Sequence, residues 1–176
     1  MLRILVSLVT LLAVIIVPQR AAAAYVLPYP SIMPGHKLYR IARLIDEAKQ
    51  YWYWGNLSSY RYYLGQSDKA LVEVKTLFEY SQYLLAINAL ERSSAALQPI
   101  PYSLKAARDE GKNIEKYRRE FGEAMEEHKR LIVKIREETP EQFTWTPEKA
   151  APQTLMIHQA LWEAERIRTE ALANLP

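Results

Sequence analysis

Cysteine is absent from all 176 residues, which excludes disulfides, thiolate metal sites, a cysteine nucleophile and lipid attachment through an N-terminal cysteine. Glycine is scarce: Gly35, Gly55, Gly65, Gly111 and Gly122 are the whole set. No Gly-x-Gly-x-x-Gly cradle, Walker loop or Gly-x-Ser-x-Gly elbow can be built from them, so the backbone devices that hold phosphates or expose a serine nucleophile are missing. The histidines are His36, His128 and His158. No His-Glu-x-x-His zinc motif occurs, and the Glu-x-x-His of carboxylate di-iron bundles fails because Met125 and Leu155 stand at the acid positions. A large excess of one charge is lacking too. Residues 1–24 carry Arg3 and Arg20 and no acid, so the remainder holds 21 basic against 20 acidic side chains. Nucleic-acid binding wants a concentrated basic patch, and this balance gives it no support.

What is present begins with an export signal. Met1 to Arg3 carries one positive charge, Ile4 to Val17 is an uncharged run dominated by Leu, Val and Ile, and Ala22-Ala23-Ala24 offers a small-residue cleavage site before Tyr25. The run is shorter than the roughly 18 to 20 apolar residues of a spanning helix, so the sequence predicts a cleaved signal peptide over 1–24 rather than an anchor. No second apolar run of spanning length follows. The expected location is extracytoplasmic: periplasmic, cell-surface or secreted.

An extended arm is expected over 25–36, because Pro28, Pro30 and Pro34 exclude a helix there. Its apolar residues, Val26, Leu27, Tyr29, Ile32 and Met33, suit a path along a hydrophobic surface. Two readings stay open: an arm packed on its own bundle, or a docking strap for another protein.

Helical periodicity then governs the chain. Leu38, Ile41, Ile45, Ala48 and Trp52 hold three-four spacing and predict a first helix over about 37–53, stopped by Gly55. In the run Tyr51-Trp52-Tyr53-Trp54, successive residues turn by about 100°, so the four rings cannot all face one core. At least one should be exposed. A second helix begins near Asn56 as N-cap, with Tyr60, Leu64, Ser67, Leu71, Val74 and Phe78 on one face. After Tyr80–Gln82, Tyr83, Ile87, Leu90, Ser94 and Leu97 repeat the spacing, and the short connection forces an antiparallel pair. This three-helix part spans 37–98.

The arm and its continuation resemble an uncharacterised bacterial domain-of-unknown-function family of exported helical proteins. The likeness rests on the order of signal peptide, Leu27-Pro28-Tyr29-Pro30, Met33-Pro34, Leu38-Tyr39, and the stretch Ser67 to Lys75, and it covers roughly Tyr25 to Arg92. The family pattern differs at Ser31 (Gly), Gly35 (Asp), Lys37 (Pro) and Ala70 (Arg). The resemblance implies an extracytoplasmic helical domain and carries over no catalytic residues.

Gln98-Pro99-Ile100-Pro101 is expected to break the helix, and a long helix to follow over about 103–138, with Ala107, Gly111, Ile114, Phe121, Met125, His128, Ile132 and Ile135 on one stripe and Gly111 and Gly122 as sites of bends or close contacts. Thr139-Pro140-Glu141 and Thr146-Pro147-Glu148 each read as a helix start: a Thr cap, Pro at the first position and an acid beside the positive end. The last helix is expected from the second of these, or after Pro152, to about Asn174. Ile157, Leu161, Ala164, Ile167 and Ala171 should face inward, and Trp145 and Trp162 should pin the junction. Residues 102–174 thus form a long helical hairpin, read as one domain with the preceding part.

Catalytic constellations are not found. Glu120, Glu123 and Glu127 stand beside Arg118, Arg119 and Lys129 as a ladder of local ion pairs on a solvated face. His128 and His158 are the metal-ligating candidates: in an antiparallel last pair they fall near one height and could share a divalent metal with Glu127 or Glu163. The other reading is two unrelated histidines, one hydrogen-bonded in the core. The sequence as a whole predicts an all-α fold, a helical hairpin or bundle of about five helices with a long C-terminal pair. It reads as a non-catalytic interaction or scaffold module of the cell envelope, without cofactor. A protein partner is expected, with Leu27, Tyr29, Ile32, Tyr51, Tyr53 and Trp54 as interaction candidates. Membrane contact is open only through an uncleaved N-terminus or the aromatic patch. A small-ligand or divalent-metal-binding envelope protein is the alternative.

Overall fold

The computed structural model of the protein describes residues 25–29, 32–34, 36–149 and 151–176. The signal peptide expected over 1–24, together with Pro30, Ser31 and Gly35 of the arm, lies outside the described residues. The described chain is mostly helical. It runs through α1 (Tyr39–Lys49), a 3-10 turn (Gln50–Trp52), α2 (Asn56–Glu79), α3 (Tyr83–Leu97), α4 (Pro99–Asp109) and α5 (Glu115–Glu138), then β1 (Gln142–Trp145), β2 (Gln153–Met156) and α6 (Ile157–Ala173).

The α2–α3 reversal is made where the sequence places it, by backbone hydrogen bonding. Gln82 N–H donates to Leu77 O at 2.8 Å and Ser81 N–H to Phe78 O at 2.9 Å. This is the Schellman closure, with Ser81 in the left-handed region at φ 56°. All six residues of the expected α2 face are buried. At the other end of α2 the N-cap is Gly55, and the Asn56 side chain donates instead to Glu110 Oε1 at 2.6 Å.

Four helices share the core at matching levels. One apolar cluster takes Leu71, Val74, Leu77 and Phe78 from α2, Ala86, Ala89 and Leu90 from α3, Ile132 and Ile135 from α5, and Ile157, Leu161 and Ala164 from α6, with Met33 of the arm against it. A second takes Tyr60 and Leu64, Leu97, Phe121 with Met125, and Ala171 from the same helices, adds Ile100 and Leu104 of α4, and has Tyr25 against it. Both clusters therefore draw on the 37–98 part and the 102–174 part. On every one of the four helices the residues between the clusters are polar and buried: Ser67 and Asp68, Ser93 and Ser94, His128, and Arg168.

The C-terminal half differs from the sequence expectation in three places. First, the long helix expected over 103–138 is two helices. Gly111, at φ 78°, ends α4 in a Schellman closure, with Lys112 N–H donating to Ala107 O and Gly111 N–H to Arg108 O. Asn113 Oδ1 then accepts from Glu115 N–H at 3.0 Å and opens α5. Second, Pro99 does not keep the chain out of helix: it sits in the first turn of α4, where the missing N–H costs nothing.

Third, the fold is not wholly helical. Residues 142–145 and 153–156 form an antiparallel hairpin, pairing Phe143 with Leu155 and Trp145 with Gln153. The first strand carries Phe143, Thr144 and Trp145, residue types that favour a pleated surface, and this overrides the Thr-Pro-Glu helix starts. Thr139 Oγ1 donates back to Ile135 O at 2.8 Å, finishing α5 rather than capping a new helix. The last helix consequently begins at Ile157, and its fourth inward position is Arg168, not Ile167.

Candidate interaction surface

Helix α1 is held to the protein by its polar side. The Tyr39 hydroxyl donates to Glu73 Oε1 at 2.8 Å, and Arg92 reaches both Glu73 Oε1 at 2.6 Å and the Tyr39 hydroxyl at 3.2 Å. Lys69 Nζ lies 3.3 Å from Asp46, and the Tyr62 hydroxyl donates to the Asp46 carbonyl at 3.1 Å. Partial burial pushes the Asp46 carboxyl up, but the ammonium groups of Lys49 and Lys69 outweigh it and hold Asp46 below its ordinary pKa. Burial, then the bond to Glu73, raises the pKa of the Tyr39 hydroxyl. Between α1 and α2 lies a small cleft of about 120 Å³, bordered by Ile32, Tyr39, Asp46, Lys69, Glu73 and Arg92.

No residue of α1 is buried. With its polar side turned in, the helix presents the three-four stripe to the outside: Leu38, Ile41, Leu44 and Ile45, followed by Tyr51, Trp52 and Trp54, are between 50% and 83% exposed. An amphipathic helix on a globular protein ordinarily turns that stripe to the core. Here the orientation is reversed. Apolar side chains exposed singly are normal; here they stand together as one stripe.

Of the sequence-predicted interaction residues, Tyr51 and Trp54 fall on this surface, and both are more than four-fifths exposed. Tyr53 turns back: its ring packs 5.4 Å from that of Tyr62. The arm divides by residue. Tyr25, Leu27, Pro28 and Met33 are half-buried, whereas Val26 and Tyr29 are exposed and Ile32 borders the cleft behind α1. Leu27 and Pro28 border a shallow groove together with Val72 and Leu131.

The two candidate metal ligands are not brought together. His128 is fully buried, with Nε2 2.8 Å from Asp68 Oδ1. His158 stands at the start of α6 and its Nε2 lies 2.9 Å from the Thr139 carbonyl. Eleven residues separate His128 from Thr139, on the order of 16 Å of helix rise. Among the described residues no group of three or more His, Cys, Asp and Glu could hold a metal ion.

The buried polar layer is instead a hydrogen-bonded network. Desolvation holds His128 below its ordinary pKa, against the pull of Asp68, so the imidazole is neutral at pH 7 and donates from Nε2. The other Asp68 oxygen accepts from the Tyr25 hydroxyl at 2.6 Å. Arg168 donates to Ser93 Oγ at 2.7 Å, to Ser94 Oγ at 3.3 Å and to the Ala164 carbonyl at 2.9 Å, and desolvation lowers its pKa to about 10. Ser67 and Ser93 exchange hydroxyl-to-carbonyl bonds at 2.9 Å, which holds α2 and α3 close. His128 Nδ1 and Arg168 Nε have no partner among the described residues. The network is closed to solvent: its members are at most 6% exposed, Tyr25 apart.

Sequence reasoning missed Arg168 because Ile167, beside it, is apolar. The signal was there: positions 157, 161, 164, 168 and 171 alternate four and three without a skip. No helix among the described residues is long and apolar enough to cross a membrane. Compared with protein-family models, curated proteins and solved structures, the chain matches none.

Proposed function

We propose that this chain is an exported, non-catalytic helical module of the cell envelope whose working part is the outward face of α1 and the aromatic turn after it. The helical hairpins behind it act as a scaffold. The observation that supports this reading is the reversal of α1: it uses its polar side on its own bundle and leaves its apolar side for something else. Burying a large apolar side chain is worth roughly 1.5–3 kcal/mol, so a contact that covers the stripe has a substantial driving force. The tethers that hold α1, by contrast, are a few part-buried hydrogen bonds and ion pairs, each contributing on the order of 1 kcal/mol. Export rests on the predicted leader over 1–24, and membership of the resembling family would agree with it.

Photocrosslinking in the native envelope tests the reading. A photoreactive group at Trp54 should capture a specific neighbour, one at Tyr102 of α4, which is also exposed, should not, and Leu44→Asp with Ile45→Asp should abolish the Trp54 product. Equal capture from both positions would overturn it.

A further inference from the structure

The exposed stripe has a particular chemistry. By helical spacing, Arg40 and Lys49 fall on its two edges and no carboxylate falls within it. The nearby acids are already engaged: Asp46 lies between Lys49 and Lys69, and Glu47 lies 3.0 Å from Arg43. Across residues 37–54 four cations stand against these two acids. The rings that extend the stripe, Tyr51, Trp52 and Trp54, carry a polar tip on an apolar body, the type that settles at a lipid–water boundary. The stripe lies on the outer side of a helix of 11 residues, and the cleft behind α1 is lined by other side chains.

We propose that the occupant of this face is an anionic phospholipid surface, on which α1 lies in the plane of the headgroups with Ile41 on its midline and Leu44 and Ile45 on either side; this rests on the interaction reading above. An apolar helical face with cations at its margins and Trp and Tyr at one end meets both demands of such a surface, acyl chains beneath and phosphates at the rim. A second copy of the chain fits less well. Arg40 stands at one edge, Lys49 at the other is already paired with Asp46, and no free carboxylate lies between them, so face-to-face pairing gains no ion pair across the seam. A protein partner built on hot spots would be expected to find a pocket on this face.

The test uses the exported protein isolated from its host, with Trp145→Phe and Trp162→Phe so that only Trp52 and Trp54 report. Vesicles of three parts phosphatidylcholine to one part phosphatidylglycerol should shift the tryptophan emission to the blue, and brominated lipid should quench at least half of it. Leu44→Asp with Ile45→Asp should weaken partition at least tenfold at unchanged circular dichroism, and Arg40→Gln should weaken it severalfold on anionic vesicles only. No quenching by brominated lipid overturns the proposal. So does a dimer, seen by sedimentation, that forms through this face and is broken by the same double variant. If vesicles fail while Trp54 still crosslinks a protein in the envelope, the lipid assignment falls and the interaction reading survives; if both fail, both fall.

Discussion

The hydroxyl of Tyr25 lies 2.6 Å from Oδ2 of Asp68, 43 residues further along the chain. Burial first, and the Asp68 charge second, raise the pKa of this hydroxyl far above that of a free tyrosine, so it stays a donor at every physiological pH. The arm therefore begins by satisfying a carboxylate inside the bundle, while eight residues on Met33 packs against the first apolar cluster. Deleting residues 25–34 should lower the melting temperature by several degrees while leaving most of the helical circular dichroism. Tyr25→Phe should account for about 1–3 kcal/mol of that loss in urea denaturation, the cost of an unpaired buried acceptor.

Asp68→Ala should destabilise the fold by about 3–5 kcal/mol, because it removes the acceptor of the Tyr25 hydroxyl and of His128 Nε2 and, among the described residues, the carboxylate that raises the pKa of the buried Arg168 guanidinium. Chemical denaturation at pH 7 reads this directly. A loss below 1 kcal/mol would show that the serines alone carry the cation.

His128 has a folded pKa below the unfolded value of 6.5, so the unfolded chain takes up this proton first. The stability that comes from keeping the ring neutral is complete above pH 6.5 and is lost as pH falls from there toward the folded pKa, at up to about 1.4 kcal/mol per pH unit. Between pH 6.5 and 5, wild type should lose stability faster than His128→Gln, which keeps a donor toward Asp68 and has no proton to take up.

Leu71→Asp and Leu90→Asp should each abolish cooperative unfolding, since both side chains are at most 2% exposed and a carboxylate there has no partner. Retention of a sharp thermal transition would refute the α2–α3 pairing.

Ser81→Gly should stabilise the protein by about 1 kcal/mol, raising the melting temperature by roughly 2–4 °C. The position requires a left-handed backbone, which glycine adopts without a Cβ penalty. A lower melting temperature would mean that the serine hydroxyl, 3.5 Å from that of Tyr83, contributes more than its conformation costs.

How much of this the sequence disclosed depends on whether a residue's own chemistry agreed with its period. Leu71, Val74, Phe121, Met125 and Ile132 are apolar at inward positions, and all are buried as the spacing predicts. His128 was legible as an inward residue but not its partner, because Asp68 comes from a helix 60 residues away. Leu38, Ile41 and Ile45 were correctly read as one face, yet periodicity says only that a face is apolar, not what covers it. Orientation came from Tyr39, Asp46, Lys69 and Glu73, whose pairing is a tertiary fact. Thr144, Phe143 and Leu155 were hidden by the stronger proline-based start signals beside them.

Arg168 meets Ser94 and Ser93 across 74 and 75 residues of chain. The α2–α3 pair, closed by a short turn, can form early, but the guanidinium must wait for α4, α5 and the β-hairpin to bring α6 back. Its dehydration therefore belongs late in folding, when hydroxyl and carbonyl acceptors already stand ready to replace lost water. A chain that docks α6 one residue out of step would strand a charge in hydrocarbon, so this arginine penalises every register of α6 but the native one.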